Sequence, residues 1–223
     1  MRINFLAVSV VFACTAATAT DAPLSCKQIT DRLAEMDASR AASLRGYTVM
    51  RHYLLDNQRF HTRAEMTVRV TYTAPGHKEF KVLSETGTAW IRSRVFRKLL
   101  QAEVEGASPD AGNHIVPANY NFRLVGTEKQ NDRPCYVLEA EPKTKNKYLF
   151  RGRIWVDAED AAVARIDASP AQNPSFWTTK VHFVHRYEKI GPYWLAASNV
   201  TETEVRVFGT TDLKIDYFNY SIQ

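Results

Sequence analysis

The sequence predicts an α+β domain: a curved antiparallel half-barrel sheet of about ten strands with helices covering its concave face. Three observations carry this. Short runs of alternating apolar and polar residues, separated by turn residues, fill most of the chain. Two stretches instead have helical spacing, one near the start and one between the third and fourth strand runs. Strands and helices do not alternate, which argues against a parallel nucleotide-binding sheet. A length of 223 residues at 45% apolar composition suits a single domain with a real core.

The first segment, MRINFLAVSVVFACTAATAT, has a positive start at Arg2, an apolar run over residues 5–13, and small residues ending in Ala17-Thr18-Ala19. This is the pattern of a secretory signal peptide cleaved after Ala19. The apolar run is far shorter than the ~20 residues of a membrane span. The expected division is therefore a signal peptide, 1–19, and one domain, 20–223. Cys14, in VFAC, offers a second reading, acylation and lipid anchoring as in a lipoprotein box. Removing residues 1–19 takes away Arg2 and no acid, so 28 basic residues face 24 acidic ones and the formal charge falls from +5 to +4. Such mild basicity suits an anionic membrane surface or an acidic partner. It is too small for nucleic acid, and no aromatic-plus-basic binding module accompanies it. Cys26 and Cys135 remain. In an oxidising compartment they are a candidate disulfide; the alternative is two partly buried free thiols.

In CKQITDRLAEMDASRAASLRG, Ile29, Leu33 and Met36 recur at helical spacing between charges, and Gly46 is the expected stop. The period then changes to two. Tyr47, Val49, Arg51 and Tyr53 share one face of a first strand; Ala64, Met66, Val68, Val70 and Tyr72 share one face of a second, ended by Pro75-Gly76. HKEFKVLSETG is a third strand. TAWIRSRVFRKLLQAEVEGA returns to the helical period, with Trp90, Ile91, Val95, Leu99 and Val104 as its stripe and Arg92, Arg94, Arg97 and Lys98 on the other face. The residues beyond it, SPDAGNHIVPAN, read as a loop. Seven further strand runs follow from Tyr120 onward, with turns at Asn131-Asp132, residues 142–146, residues 158–160, Gly191-Pro192 and Gly209.

The acidic cluster Asp157, Glu159 and Asp160 falls where one strand turns into the next, as aspartates often do. It lacks the further oxygen ligands and the glycine of a calcium loop, and is expected to be a surface hairpin with unperturbed acids. Catalytic signatures are missing too. His182 and His185 are three apart on a strand and so face opposite ways. No H-E-x-x-H, paired C-x-x-C, G-x-S-x-G or Walker A pattern occurs. The expectation is a protein that is not an enzyme and uses no metal or cofactor. The basic run EPKTKNKYLFRGR reads as a solvated turn, the alternative being a docking point for lipid headgroups or an acidic partner.

Two helices cannot cover both faces of a ten-stranded sheet, so the sheet should curl around a hydrophobic cavity. Alternation and helix period select ten candidates for the lining. Met66, Val68, Val70, Trp90 and Leu99 come from the first half of the chain; Ile154, Phe183, Tyr187, Leu213 and Ile215 come from the second.

The second half also resembles a known family. GRIWVDAEDAAVARID, with its Arg165-Ile166 pair, is similar to a strand-turn-strand of the LolA/LolB lipoprotein-carrier superfamily. The run from Val181 through the Gly191–Leu195 turn to the Phe218-Asn219 step is similar to that family's closing strands. The resemblance implies a half-barrel whose apolar cavity holds acyl chains of lipids or lipoproteins and moves them toward the outer membrane. It implies a periplasmic location, no covalent chemistry, and contact with a membrane surface or envelope transport proteins. An envelope-stress sensor or regulatory protein-binding module on the same fold is the alternative it carries.

Overall fold

The computed structural model describes residues 24–106, 112–173, 178–206 and 209–223. The signal-peptide segment, the cleavage site and Cys14 lie outside them. So do Phe176, Trp177 and Phe208.

Helix α1 spans Cys26–Ser43. Ser25 and Gln28 form a reciprocal capping box that satisfies two of the backbone donors orphaned at a helix start. The helix ends at Leu44 in extended conformation, so Gly46 is not its stop. Gly46 opens the first strand instead, and a Cβ there would lie 2.7 Å from the Tyr72 carbonyl oxygen of the neighbouring strand.

Strands β1 (Gly46–Asn57), β2 (Thr62–Thr73) and β3 (His77–Glu85) form a meander. A helical stretch follows as α2 (Ala89–Ile91), a π-helical turn (Arg92–Phe96) and α3 (Arg97–Gly106). Then come β4 (Tyr120–Gln130), β5 (Arg133–Pro142), β6 (Phe150–Asp157), β7 (Val163–Pro170), β8 (Thr178–Ile190), β9 (Tyr193–Val205) and β10 (Gly209–Ile222). Asn131 and Asp132, both at positive φ (49° and 63°), make the tight β4–β5 turn. The ten strands form one open, curved antiparallel sheet in the order β3-β2-β1-β10-β9-β8-β7-β6-β5-β4. All neighbours are consecutive in sequence except β1 and β10, which pair at the join with Tyr53 opposite Ile215 and Leu55 opposite Leu213.

Two clusters occupy the concave face. Under α1, Ile29 and Leu33 pack on Tyr120, Leu138, Ile154 and Ile166 from β4 to β7. Under the second helical stretch, Ile91 and Phe96 pack on Val49, Tyr53, Met66 and Val68, with Ile215 of β10. A smaller cluster of Cys135, Val137, Trp155 and Ala164 lies apart from both.

That separation overturns the disulfide. Both cysteines are free thiols. Along β5 the residues alternate in facing: Leu138 and Ala140 join the cluster under α1, while Cys135 and Val137 join the smaller one on the other face. Cys26 packs against the cluster under α1, so the sheet stands between the two sulfurs. Burial pushes the Cys135 thiol up to about 11, which keeps it in its unreactive protonated form.

The acidic turn is a hairpin, but its carboxylates are not those of a bare surface turn. Asp157 is fully buried. Arg133 grips it through Nε and Nη2 at 2.6 and 2.8 Å, and the backbone N–H of Asp160 donates to it at 2.8 Å. Burial raises the Asp157 carboxyl, but these bonds outweigh burial and hold it below its ordinary value. Asp160 accepts from Lys189 and from the Trp194 indole. Arg40, at the end of α1, donates to the carbonyls of Asp160 and Ala161. The cluster is thus a clasp between β5, the β6–β7 turn, β9 and α1. The basic run after β5 is tied locally as well: Arg151 makes a bidentate pair with Glu141, and Lys147 reaches Glu105.

Candidate functional site: a divided cavity beneath the second helical stretch

The π-helical turn decides what faces the sheet. A π turn puts residues i and i+5 on one side, so Ile91 and Phe96 both point inward, 5% and 1% exposed. The stripe then continues through Leu99 and Leu100 to Glu103. Val104, expected inside from a regular period, is 46% exposed. The side chain of Trp90 is not among those described.

Two cavities lie between this helical stretch and the sheet. The first, of about 480 Å³, is almost wholly apolar. Leu55 and Thr62 of β1 and β2, Ile91 and Val95 of the helical stretch, Val205 and Thr211 from the ends of β9 and β10, and Phe60 from the β1–β2 turn line it. At its rim the Asn57 amide donates to the Thr211 hydroxyl at 2.7 Å and its carbonyl accepts from the Phe60 backbone at 2.9 Å. The second cavity, of about 560 Å³, sits further along the same seam and mixes apolar with charged groups. Its lining includes Leu99 and Glu103 of α3, Arg51 and Tyr53 of β1, Lys78 of β3, Ile215 and Tyr217 of β10, and His185 and Tyr187 of β8.

Arg51 is 2% exposed. Its Nη1 donates to both Glu103 carboxylate oxygens at 2.7 and 2.6 Å, and Lys78 Nζ donates to one of them at 2.8 Å. The guanidinium also lies 4.8 Å from the centre of the Tyr217 ring, a cation–π contact. Its Nε is buried with no hydrogen-bond partner. Burial raises the Glu103 carboxyl, but Arg51 and Lys78 outweigh that and leave it below its ordinary value, so it stays ionised. Burial holds His185 neutral, pushed down to about 4, and pushes the Tyr187 hydroxyl up to about 12. Among the described residues no group of three or more His, Cys, Asp or Glu is placed to hold a metal ion.

The predicted lining residues separate into three sets. Leu99, Tyr187 and Ile215 border the charged cavity. Met66, Val68 and Val70 are buried core under the second helical stretch, with Leu213 packed beside them. Ile154 is core under α1, and Phe183 packs at its edge. None of the nine candidates whose side chains are described borders the apolar cavity. That cavity is built from Leu55, Ile91 and Val95 together with turn and strand-end residues such as Phe60 and Thr211, which alternation does not single out. Arg51 did leave a signal: it is a charge on the apolar face of β1, between Val49 and Tyr53. Glu103 lies one regular turn past Leu99 in α3, so the period did reach it, but a charged residue there reads as solvated face.

The fold and site define an open antiparallel half-barrel with a helix-covered, largely apolar concave face. The family model described as "-like: Uncharacterized protein" matches residues 110–223, just over half of the chain, and the chain belongs to that family. The matched stretch takes in β4 to β10. No curated protein matches the chain significantly. Among solved structures, the chain is similar to a DUF1329 family protein from Desulfovibrio piger (14% identity, 88% of this chain and 92% of that one, TM-score 0.43). It is similar to a domain described as an outer membrane lipoprotein-sorting protein from Vibrio parahaemolyticus (12%, 87% and 93%, 0.42). It is also similar to a LolA superfamily protein from Nitrosomonas europaea (11%, 90% and 94%, 0.41).

Proposed function

We propose that the protein is a non-enzymatic periplasmic carrier that shields acyl chains of lipids or lipoproteins from water and moves them toward the outer membrane. The observation that carries this reading is the apolar cavity of about 480 Å³ between Leu55, Ile91 and Val95. Its size falls within the range of small-molecule sites. An acyl chain gains about 0.8 kcal/mol for each methylene it buries, so ten methylenes contribute roughly 8 kcal/mol before the cost of association is subtracted. Release follows from an acceptor of higher affinity, since a carrier shifts cargo only by differential binding. The export pattern at the N-terminus supports the compartment.

The test is native mass spectrometry of the protein purified from the periplasm, followed by lipid extraction. The expected result is a co-purifying phospholipid or acylated peptide that disappears in Val95→Asp. A protein that is always empty and takes up no fluorescent fatty acid would overturn the reading and favour a protein-binding module.

A further inference from the structure

The charged cavity has an unbalanced charge. Of its lining groups, Arg51 and Lys78 are cations and Glu103 is an anion. Burial keeps His185 uncharged, and the tyrosines keep their phenolic protons. Both cations share the one carboxylate, so the lining of this cavity of about 560 Å³ carries one net positive charge. A buried charge is tolerated only when paired. The geometry points the same way. Both Glu103 oxygens share the single Nη1 of Arg51, where a carboxylate facing a guanidinium usually takes two nitrogens. The Nε remains buried and unpartnered.

The charged cavity also adjoins the apolar one. Tyr53 borders the first and Leu55 the second, two residues apart on the same face of β1. Leu99 and Val95 stand in the same relation one turn apart along the helical stretch. From Arg51 to Leu55 the strand rises about 13 Å.

We propose that Arg51 and Lys78 form a headgroup site for one negative charge, and that the cargo is a single-chain amphiphile with a monoanionic oxygen headgroup. The headgroup neutralises the net positive charge beside Glu103, and the tail runs along the β1–α3 seam into the apolar cavity. This rests on the carrier reading and specifies its cargo. A fatty-acid carboxylate and a lysophospholipid phosphodiester present the same chemistry.

The test measures binding of dodecanoate, lauroyl lysophosphatidylglycerol and uncharged dodecanol to the mature protein, with acetate as a tail-less probe. One or both anionic amphiphiles should bind at least tenfold more tightly than dodecanol, and the tighter of the two names the headgroup source. Acetate should compete only at concentrations far above those at which dodecanoate binds, because it lacks the buried tail. Lys78→Gln should reduce the preference for the anion severalfold and leave dodecanol affinity unchanged; Arg51→Gln should reduce it further. Lys78 sits at the cavity border on edge strand β3, so its variant remains informative if the Arg51 variant fails to fold. Equal affinity for dodecanol and the anions, a preference unchanged by Lys78→Gln, or acetate binding as tightly as dodecanoate would overturn the proposed amphiphile site while leaving the carrier reading in place. Failure of all three amphiphiles to bind would instead remove the carrier reading itself.

Discussion

The two halves of the concave face are covered in different ways. Under α1 the packing is dry: Leu33, Leu138, Ile154 and Val156 are each 2% exposed or less. Arg40 adds a clasp to the β6–β7 turn. Under the second helical stretch the cover stands over two cavities and is held partly by a buried ion network. Close packing on one side and voids on the other separate the two halves. The α1 half is filled with side chains, and the α3 half keeps open volume. An empty cavity forfeits contacts that a filled core would make, so the α3 half is the less stable of the two.

That contrast can be broken by experiment. The largest effect belongs to Leu33→Ala. It should cost about 2–5 kcal/mol, because the dry core around it cannot collapse into the gap, and it should leave lipid affinity per folded molecule unchanged. Val95→Ala, at a cavity wall, should cost less stability and weaken lipid uptake. Urea unfolding beside lipid titration checks both, and equal stability losses would erase the distinction between the halves.

Next is the ion network. Arg51→Met leaves Glu103 with Lys78 alone. Removing one partner of a buried pair costs about 3–5 kcal/mol; here Glu103 is 28% exposed and keeps a second cation, so roughly 2 kcal/mol is expected. Arg51→Met with Glu103→Leu and Lys78→Met, which leaves no member of the network unpaired, should recover most of that loss.

A smaller effect is a pH dependence confined to the α3 half. The folded-state value of His185 is about 4 against an ordinary 6.5. Between those values the unfolded chain takes up a proton that the folded chain does not. Stability is therefore full above about pH 6.5 and declines as the pH falls toward 4. His185→Asn should flatten the urea midpoint between pH 6.5 and 4.5. A slope unchanged by that substitution would mean that His185 takes up its proton at the same pH in the folded chain as in the unfolded one. The smallest effect belongs to Lys147→Ala, whose pair with Glu105 is open to solvent. Its unfolding midpoint should not move measurably, as for most exposed ion pairs.

The strands were legible because each buries one face: in β2, Ala64, Met66, Val68 and Val70 alternate with polar residues and all four are buried. The helices were legible by period, and the half-barrel followed from counting faces. Three things were not. The pairing of β1 with β10 depends on contacts across most of the chain, which local pattern does not encode. The shared inward facing of Ile91 and Phe96 needs one extra residue in the helical turn at Arg92–Phe96, and no residue type marks it. The burial of Asp157 depends on Arg133, 24 positions away, reaching across from β5. The site suffered more than the fold because the apolar cavity uses turn residues and strand ends, where periodicity stops.

The join between β1 and β10 has a consequence for the order of assembly. Strands β1 to β3 and β4 to β9 are two local meanders whose hairpins can close early and cheaply. Their union waits for a strand that pairs Tyr47 with Ile222, at the largest loop-closure cost in the molecule. Until β10 arrives, β1 and β9 each present a bare edge, and the seam that holds both cavities does not exist. The divided cavity is thus the last part of the molecule to be built.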